Sequence, residues 1–172
     1  SGDDGLMLTE MAPFGVIGAI TPSTNPTATV INNGISMVAA GNAVVFNPHP
    51  GAKKASIEAI RILNRGIVEA GGPDNLLCAP KNPTMDTSAA IMTDPAIRLL
   101  AVTGGEAVVN VAMKSGKKCI AAGPGNPPVV VDRTANVRQA ARDIVKGIHY
   151  ENCILCIAEK EILVEDVVAD EL

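Results

Sequence analysis

Two cysteines three residues apart, in Cys153-Ile154-Leu155-Cys156, form the most reactive short pattern in the sequence. Such a pair can be half of a zinc site, a dithiol redox centre or a pair of buried thiols. Zinc needs a second pair. Cys78 and Cys119 stand alone and His49 and His149 are not at ligand spacing, so no metal site is expected. A dithiol centre normally opens a helix behind a first strand, whereas this pair lies late in the chain; structural and functional thiols both remain open on these residues alone. Three loops are rich in polar and glycine residues: Thr21-Pro22-Ser23-Thr24-Asn25-Pro26, Asn47-Pro48-His49-Pro50-Gly51 and Thr103-Gly104-Gly105-Glu106. The last has the S/T-x-x-E spacing of a capping box, and its two glycines leave helix N–H groups open to an anion. On this segment alone an ordinary helix start, needing tight packing, is the favoured reading over a phosphate site. Gly123-Pro124-Gly125-Asn126-Pro127-Pro128 begins like a dinucleotide fingerprint and then fails, because prolines have no N–H to offer a phosphate. No Walker A sequence occurs. His49, between two prolines, reads as an exposed loop residue, and Asn32 and Asn33 as the polar face of a helix.

The elements that must position these loops alternate between short apolar runs and helix-period segments, the pattern of parallel βαβ units. Strands are expected at 14–20, 43–46, 76–79, 98–102, 119–122 and 129–131. Helices are expected at 26–40, 51–70, 85–93 and 104–114, and Val137, Ala141, Ile144, Val145 and Ile148 make a final amphipathic stripe. In the first helix the apolar positions are Val30, Ile31, Ile35 and Val38, with Gly41 as its stop. In the second they are Ile57, Ile60, Leu63 and Ile67. The segment after Lys160 reads as a strand followed by the start of a helix. The expected architecture is α/β: a Rossmann-like, mostly parallel open sheet with helices on both faces, whose ligands lie beyond the carboxyl ends of the strands.

With 172 residues the chain suffices for one domain of ordinary size, and 47% hydrophobic residues can fill a core. Net charge is −4, which argues against nucleic acid and anionic membrane as partners. Three aromatics, Phe14, Phe46 and Tyr150, are too few for base-stacking platforms. No apolar run approaches the roughly 20 residues that span a bilayer, and no signal peptide is visible at the start. The four cysteines are expected as free thiols in a reducing cytosol. The opening SGDDGLML and the closing VEDVVADEL suggest a piece of a longer protein.

In their order along the chain, FGVIGAITPSTNPT, AVTGGEAV, AAGPGNPPVVVD and HYENCILCIAEKE resemble the aldehyde dehydrogenase superfamily, and within it the CoA-acylating branch of ethanolamine and propanediol utilisation. The resemblance runs from about Thr9 to Leu172. It implies a nicotinamide cofactor-binding domain over 1–147 and the start of a catalytic domain over 148–172. Cys156 matches the family's nucleophile. Asn25 matches the asparagine that forms the oxyanion hole together with the nucleophile's own N–H. Val102, Thr103, Gly104 and Gly105 match the segment that packs against the diphosphate and nicotinamide half of the cofactor. Thr21, Pro22, Ser23 and Thr24, with Asn47, Pro48 and His49, match the loops that hold the rest.

Two departures carry meaning. Hydrolytic members place a glutamate two residues before Gly123 to activate water, and here that residue is Ala121. A thiol with a pKa near 8.5 ionises appreciably without such a base, so alanine suits release of the acyl group to coenzyme A. Asn47 stands where many relatives carry a ribose-binding lysine, and no carboxylate two residues on repels a 2′-phosphate, which leaves both NAD and NADP open. The resemblance therefore implies oxidation of a short-chain aldehyde to acyl-CoA through a cysteine thioester. It also implies a cytoplasmic homo-oligomer in the full-length protein, carried in some relatives within the lumen of a bacterial microcompartment. The alternatives are a nucleotide-binding module inactive in isolation, or a relative that reduces an acyl phosphate to a semialdehyde.

Overall fold

A computed structural model describes residues 2–172. The chain forms two compact units, one ending at Ala121 and the other spanning Ala122–Leu172. This division by packing falls ahead of the 147/148 boundary that the resemblance implies.

The first unit holds β1 (Val16–Thr21), α1 (Pro26–Ala39), β2 (Ala43–Pro48), α2 (Lys53–Glu69), β3 (Leu77–Cys78), α3 (Met85–Thr93), β4 (Ile97–Thr103), α4 (Glu106–Met113) and β5 (Lys118–Ala122). Its five strands lie in the order β3-β2-β1-β4-β5. β1 runs parallel to both β2 and β4, and β2 parallel to β3. Because side chains alternate along a strand, a central strand covered on both faces must be apolar throughout. Ala19 of β1 joins Val44, Phe46, Val30, Ala59 and Ile60 beneath α1 and α2. Its neighbour Ile20 joins Leu100, Val102, Ile91, Met92 and Ala112 beneath α3 and α4. Burial of each large side chain here stabilises by roughly 1.5–3 kcal/mol. β4 is buried from Ile97 to Val102 except at Arg98, which is exposed where the register with β1 slips, pairing Val16 with Ile97 but Ile17 with Leu99. The extra residue of that bulge turns the one charge of the strand outward.

Several boundaries differ from the expected ones for local reasons. β1 starts at Val16 rather than Phe14, since Gly15 has φ +98° and its N–H donates to Asn42 Oδ1 at 3.1 Å instead of entering a ladder. β3 is only two residues long, and its outer backbone is satisfied by a side chain. Asn64 Nδ2 donates to Leu77 O at 2.6 Å, and Leu77 N donates to Asn64 Oδ1 at 3.1 Å. The segment expected as one helix from Gly51 opens with a separate 3-10 turn, Pro50–Ala52. In α1 the buried positions are Val30 and Gly34, while Ile31 and Ile35 face outward.

The second unit holds β6 (Pro128–Val131), α5 (Val137–His149), a 3-10 turn (Tyr150–Cys153), β7 (Glu161–Val164) and α6 (Asp166–Ala169). The sixth strand does not extend the main sheet; it pairs in parallel with β7, Val129 opposite Ile162 and Val131 opposite Val164. The Asn136 side chain caps α5 by accepting from Gln139 N at 3.1 Å, and Val137 and Ile144 form its buried face, with Val145 exposed. Among the described residues no helix is long and apolar enough to cross a membrane, and all four cysteines are free.

Candidate active site

The carboxyl ends of β1, β2 and β4 open together onto a cleft of about 120 Å³. Thr21 and Pro22 line it from the end of β1, Asn47, Pro48 and His49 from the end of β2, and Thr103, Gly104 and Gly105 from the end of β4. Eight of the residues matched by the resemblance are thus brought to one place. Ser23 and Thr24 lie exposed beyond it, and Val102 is buried in the core beneath α3 and α4, one residue short of the opening. The sequence did not point to the fourth wall, made by Thr84, Met85 and Ser88 at the start of α3. A readable signal existed: Thr84 and Thr87 form a reciprocal capping box, with Thr87 N donating to Thr84 Oγ1 at 3.2 Å and Thr84 N to Thr87 Oγ1 at 2.8 Å.

The capping box expected at Thr103 and Glu106 does not form. β4 continues through Thr103, so that residue is still extended strand; Gly105 is the N-cap of α4 and offers no side chain. The first-turn N–H groups of α4 therefore have no side-chain cap, although the Glu106 carboxylate in the same turn offsets part of the positive end of the dipole. Asn47 is 5% exposed and both ends of its amide are engaged at the α3 cap. Thr87 Oγ1 donates to Asn47 Oδ1 at 2.6 Å, and Asn47 Nδ2 donates to Thr84 O at 3.4 Å. It braces the cleft wall. His49 Nδ1 accepts from Gly51 N at 3.1 Å, which leaves Nε2 as the ring's remaining polar atom.

Thr21 and Ser88 are among the residues lining the cleft; both are buried, and neither hydroxyl has a hydrogen-bond partner among the described residues. A buried hydroxyl left unpaired costs about 1–3 kcal/mol. The volume is far below the roughly 300–1,000 Å³ of sites that enclose a whole small molecule, so the cleft admits only a portion of a larger ligand, with the remainder outside.

Asn25 is the residue before α1, and its side chain caps nothing. The Thr29 hydroxyl donates to Asn25 O at 2.9 Å, with Oδ1 a longer alternative at 3.3 Å; Thr24 Oγ1 lies 3.4 Å from Oδ1, and Nδ2 donates to no group among the described residues. That amide is half-buried and has a free donor.

In the second unit Cys156 sits partly exposed in an irregular turn between the 3-10 turn and β7. The chain reaches it through three consecutive left-handed residues, Glu151, Asn152 and Cys153, with φ of 51°, 52° and 58°. Each such conformation costs a non-glycine residue roughly 1–2 kcal/mol. Cys153 is held by a thiol donation to Glu159 O at 3.6 Å, a structural role. The Gly123–Pro128 segment backs the turn directly: a Cβ at Gly125 would collide with the carbonyl oxygen of Cys156 and stand 3.2 Å from its Cβ. The glycine of that segment serves close backbone packing. The Cys156 N–H donates to no carbonyl among the described residues. A partly exposed thiol thus adjoins a backbone N–H without a partner, a group that can face negative charge developing on an oxygen. The perturbed thiol of the first unit, Cys119, lies on β5, where burial pushes its pKa up and makes it a poorer nucleophile.

A parallel sheet with helices on both faces and a cleft at its strand ends, lacking the glycine fingerprint, is a Rossmann-like domain. The chain belongs to the aldehyde dehydrogenase family, whose sequence model matches residues 1–172. It is 58% identical over 173 residues to the acetaldehyde dehydrogenase (acetylating) EutE of Escherichia coli strain K12, covering 100% of this chain and 37% of that protein. Among solved structures, a propionaldehyde dehydrogenase from the fucose utilisation bacterial microcompartment of Clostridium phytofermentans superposes with a TM-score of 0.88 at 53% identity. That match covers 95% of this chain and 38% of the other. Rhodopseudomonas palustris propionaldehyde dehydrogenase with bound propionyl-CoA superposes with a TM-score of 0.87 at 49% identity, over 94% of this chain and 36% of the other. The chain thus spans little more than a third of the length of these relatives.

Proposed function

We propose that the protein carrying this chain is a CoA-acylating aldehyde dehydrogenase that oxidises a short-chain aldehyde to acyl-CoA, with Cys156 as its nucleophile. The observation that carries the reading is the Cys156 turn, where a partly exposed thiol adjoins a backbone N–H with no partner. The high identity to acylating relatives supports it. Residues 1–147 contribute the cofactor-binding portion and 148–172 begin the catalytic portion.

The uncapped start of α4, with Thr103, Gly104 and Gly105 at the cleft, would hold a polar part of NAD, or of NADP. When bound, the nicotinamide supplies a hydride acceptor. The Cys156 thiolate adds to the aldehyde carbonyl, and the charge that develops on oxygen is met by the Cys156 N–H, with Asn25 as the second donor that the family resemblance implies. One donor of this kind is worth roughly 3–4 kcal/mol in the transition state. Loss of hydride leaves the acyl group as a thioester on Cys156. No carboxylate occupies position 121 to activate water, so coenzyme A thiolate takes the acyl group and Cys156 is released. The same reading extends to a homo-oligomer in the cytoplasm, in the lumen of a bacterial microcompartment; the Clostridium relative comes from such a microcompartment.

The test is Cys156→Ser in the full-length enzyme. Acyl-CoA formation should be lost while the nicotinamide cofactor still binds, and Cys153→Ser should be nearly silent. Normal turnover by the Cys156 variant refutes the assignment; free acid as the main product of the unaltered enzyme refutes the role given to Ala121.

A further inference from the structure

We infer that Lys160 is a positioning residue for the oxyanion hole, acting through the peptide that joins Leu155 to Cys156; this rests on the reading of Cys156 as the nucleophile. The Lys160 ammonium donates to Leu155 O at 2.7 Å and to Ala158 O at 3.2 Å. Leu155 O also accepts the Ala158 N–H at 3.2 Å. The Lys160 backbone is itself anchored, donating from its N–H to Pro127 O at 3.1 Å in the segment that backs the turn. Among the described residues no carboxylate forms a salt bridge with Lys160.

Leu155 C=O and Cys156 N–H are the two ends of one planar amide. A donor on the oxygen draws electron density along the amide and makes the N–H at its far end a stronger donor, and the effect is greater when the donor is charged. Two donors on Leu155 O also fix the plane of that amide, and hence the direction in which the Cys156 N–H points. The ammonium therefore does for this N–H what a preorganised dipole does: it is in place before negative charge appears. Lysine capping of a turn's last carbonyls could also be a matter of stability alone. The difference lies in which reactions of Cys156 respond.

An oxyanion-hole donor contributes roughly 10²–10³ in rate. Polarisation along a hydrogen-bond chain strengthens a bond by about a tenth to a third. Taken as that fraction of the logarithm, the contribution of Lys160 is about two- to eightfold.

The experiment uses the full-length enzyme with Lys160→Met, Lys160→Gln and Lys160→Arg. Two rates are measured on each: the pre-steady-state burst of reduced nicotinamide at saturating aldehyde and cofactor, and alkylation of Cys156 by iodoacetamide, which develops no oxyanion. Lys160→Met should slow the burst about two- to eightfold, Lys160→Gln should fall between it and the unaltered enzyme, and Lys160→Arg should recover most of the loss. Alkylation should stay within about twofold throughout. An unchanged burst in Lys160→Met overturns the inference, as does an equal fall in both rates, which would place the lysine's effect on the thiol or on the fold. If Lys160→Met does not fold, glutamine against arginine carries the same comparison. Retained acyl-CoA formation in Cys156→Ser defeats the nucleophile itself; an inactive Cys156→Ser beside an unchanged Lys160→Met burst defeats only the role of Lys160.

Discussion

Replacing Gly125 by alanine puts a methyl group where the carbonyl oxygen of Cys156 already stands, with the carbonyl carbon 3.0 Å and the Cys156 Cβ 3.2 Å from the added atom. Because the obstruction is backbone, no rotamer change relieves it, and either the Gly123–Pro128 segment or the Cys156 turn must give way by something on the order of an ångström. A displacement of that size at a reacting group costs about 10²-fold in rate, equivalent to about 2.7 kcal/mol of transition-state stabilisation. Overpacking adds roughly 1–3 kcal/mol of instability. The assay is the burst of reduced nicotinamide in the full-length enzyme without coenzyme A, followed by the mass of the acyl-enzyme. Cofactor affinity, which the proposed function assigns to residues of the first unit, serves as the control for folding. Gly66→Ala is the matched comparison: Gly66 lies within α2, a Cβ there meets nothing within 4 Å, and the substitution should stabilise by about 0.5–1 kcal/mol without altering the burst. A burst of unaltered rate and amplitude in Gly125→Ala, with the cofactor still bound, would refute the claim that this glycine sets the position of Cys156.

Two further predictions concern stability. Asn64→Ala removes both partners of the Leu77 backbone, at a residue only 2% exposed, and should cost about 2–3 kcal/mol in urea denaturation, with little change in cofactor affinity; a loss below about 0.5 kcal/mol would mean that water replaces the side chain. Hydrogen bonds from the Thr134 hydroxyl at 2.6 Å and its N–H at 2.9 Å hold the Asp132 carboxyl below its ordinary 3.8, so its contribution is present above that value and lost as pH falls through the lower folded-state value. Asp132→Asn should flatten the acid side of a melting-temperature profile and leave the neutral side unchanged; an identical acid slope in both proteins would show that the carboxylate is not linked to folding.

The strands were legible in the sequence because β1, β2 and β4 are covered on both faces, which demands unbroken apolar runs that few other structures need. The burial of α1 was misjudged for a related reason. Periodicity admitted a stripe through Val30, Ile31, Ile35 and Val38, but the buried side runs through Gly34, where an added Cβ would lie 3.0 Å from Leu63 Cδ1 and 3.2 Å from Leu77 Cδ1. Reading by bulk looks past the residue whose lack of a side chain lets the helix approach. Ile31 and Ile35 are left outward as a consequence. Gly18 repeats the lesson on the opposite face, since a Cβ there would stand 2.6 Å from Ile91 Cγ2 of α3.

Capping spacings show the same dependence on context at the site itself. Thr103-x-x-Glu106 and Thr84-x-x-Thr87 have equal spacing, and only the second caps a helix. The decision belongs to the preceding chain: β4 holds Thr103 in its ladder, whereas Thr84 follows a loop and is free to turn its hydroxyl onto Thr87 N. The false box leaves the first turn of α4 uncapped, and the true one fixes Asn47 and the wall bearing Ser88. Cys156 depends on contacts further away in sequence still. Its neighbours Cys153 and Ile154 say nothing of Gly125 or Pro127, yet those residues and Lys160 determine where its backbone can lie. Cys156 is flanked by left-handed residues on one side and packed against Gly125 on the other. Variants of those groups should change the rate of acyl-enzyme formation while leaving cofactor affinity alone.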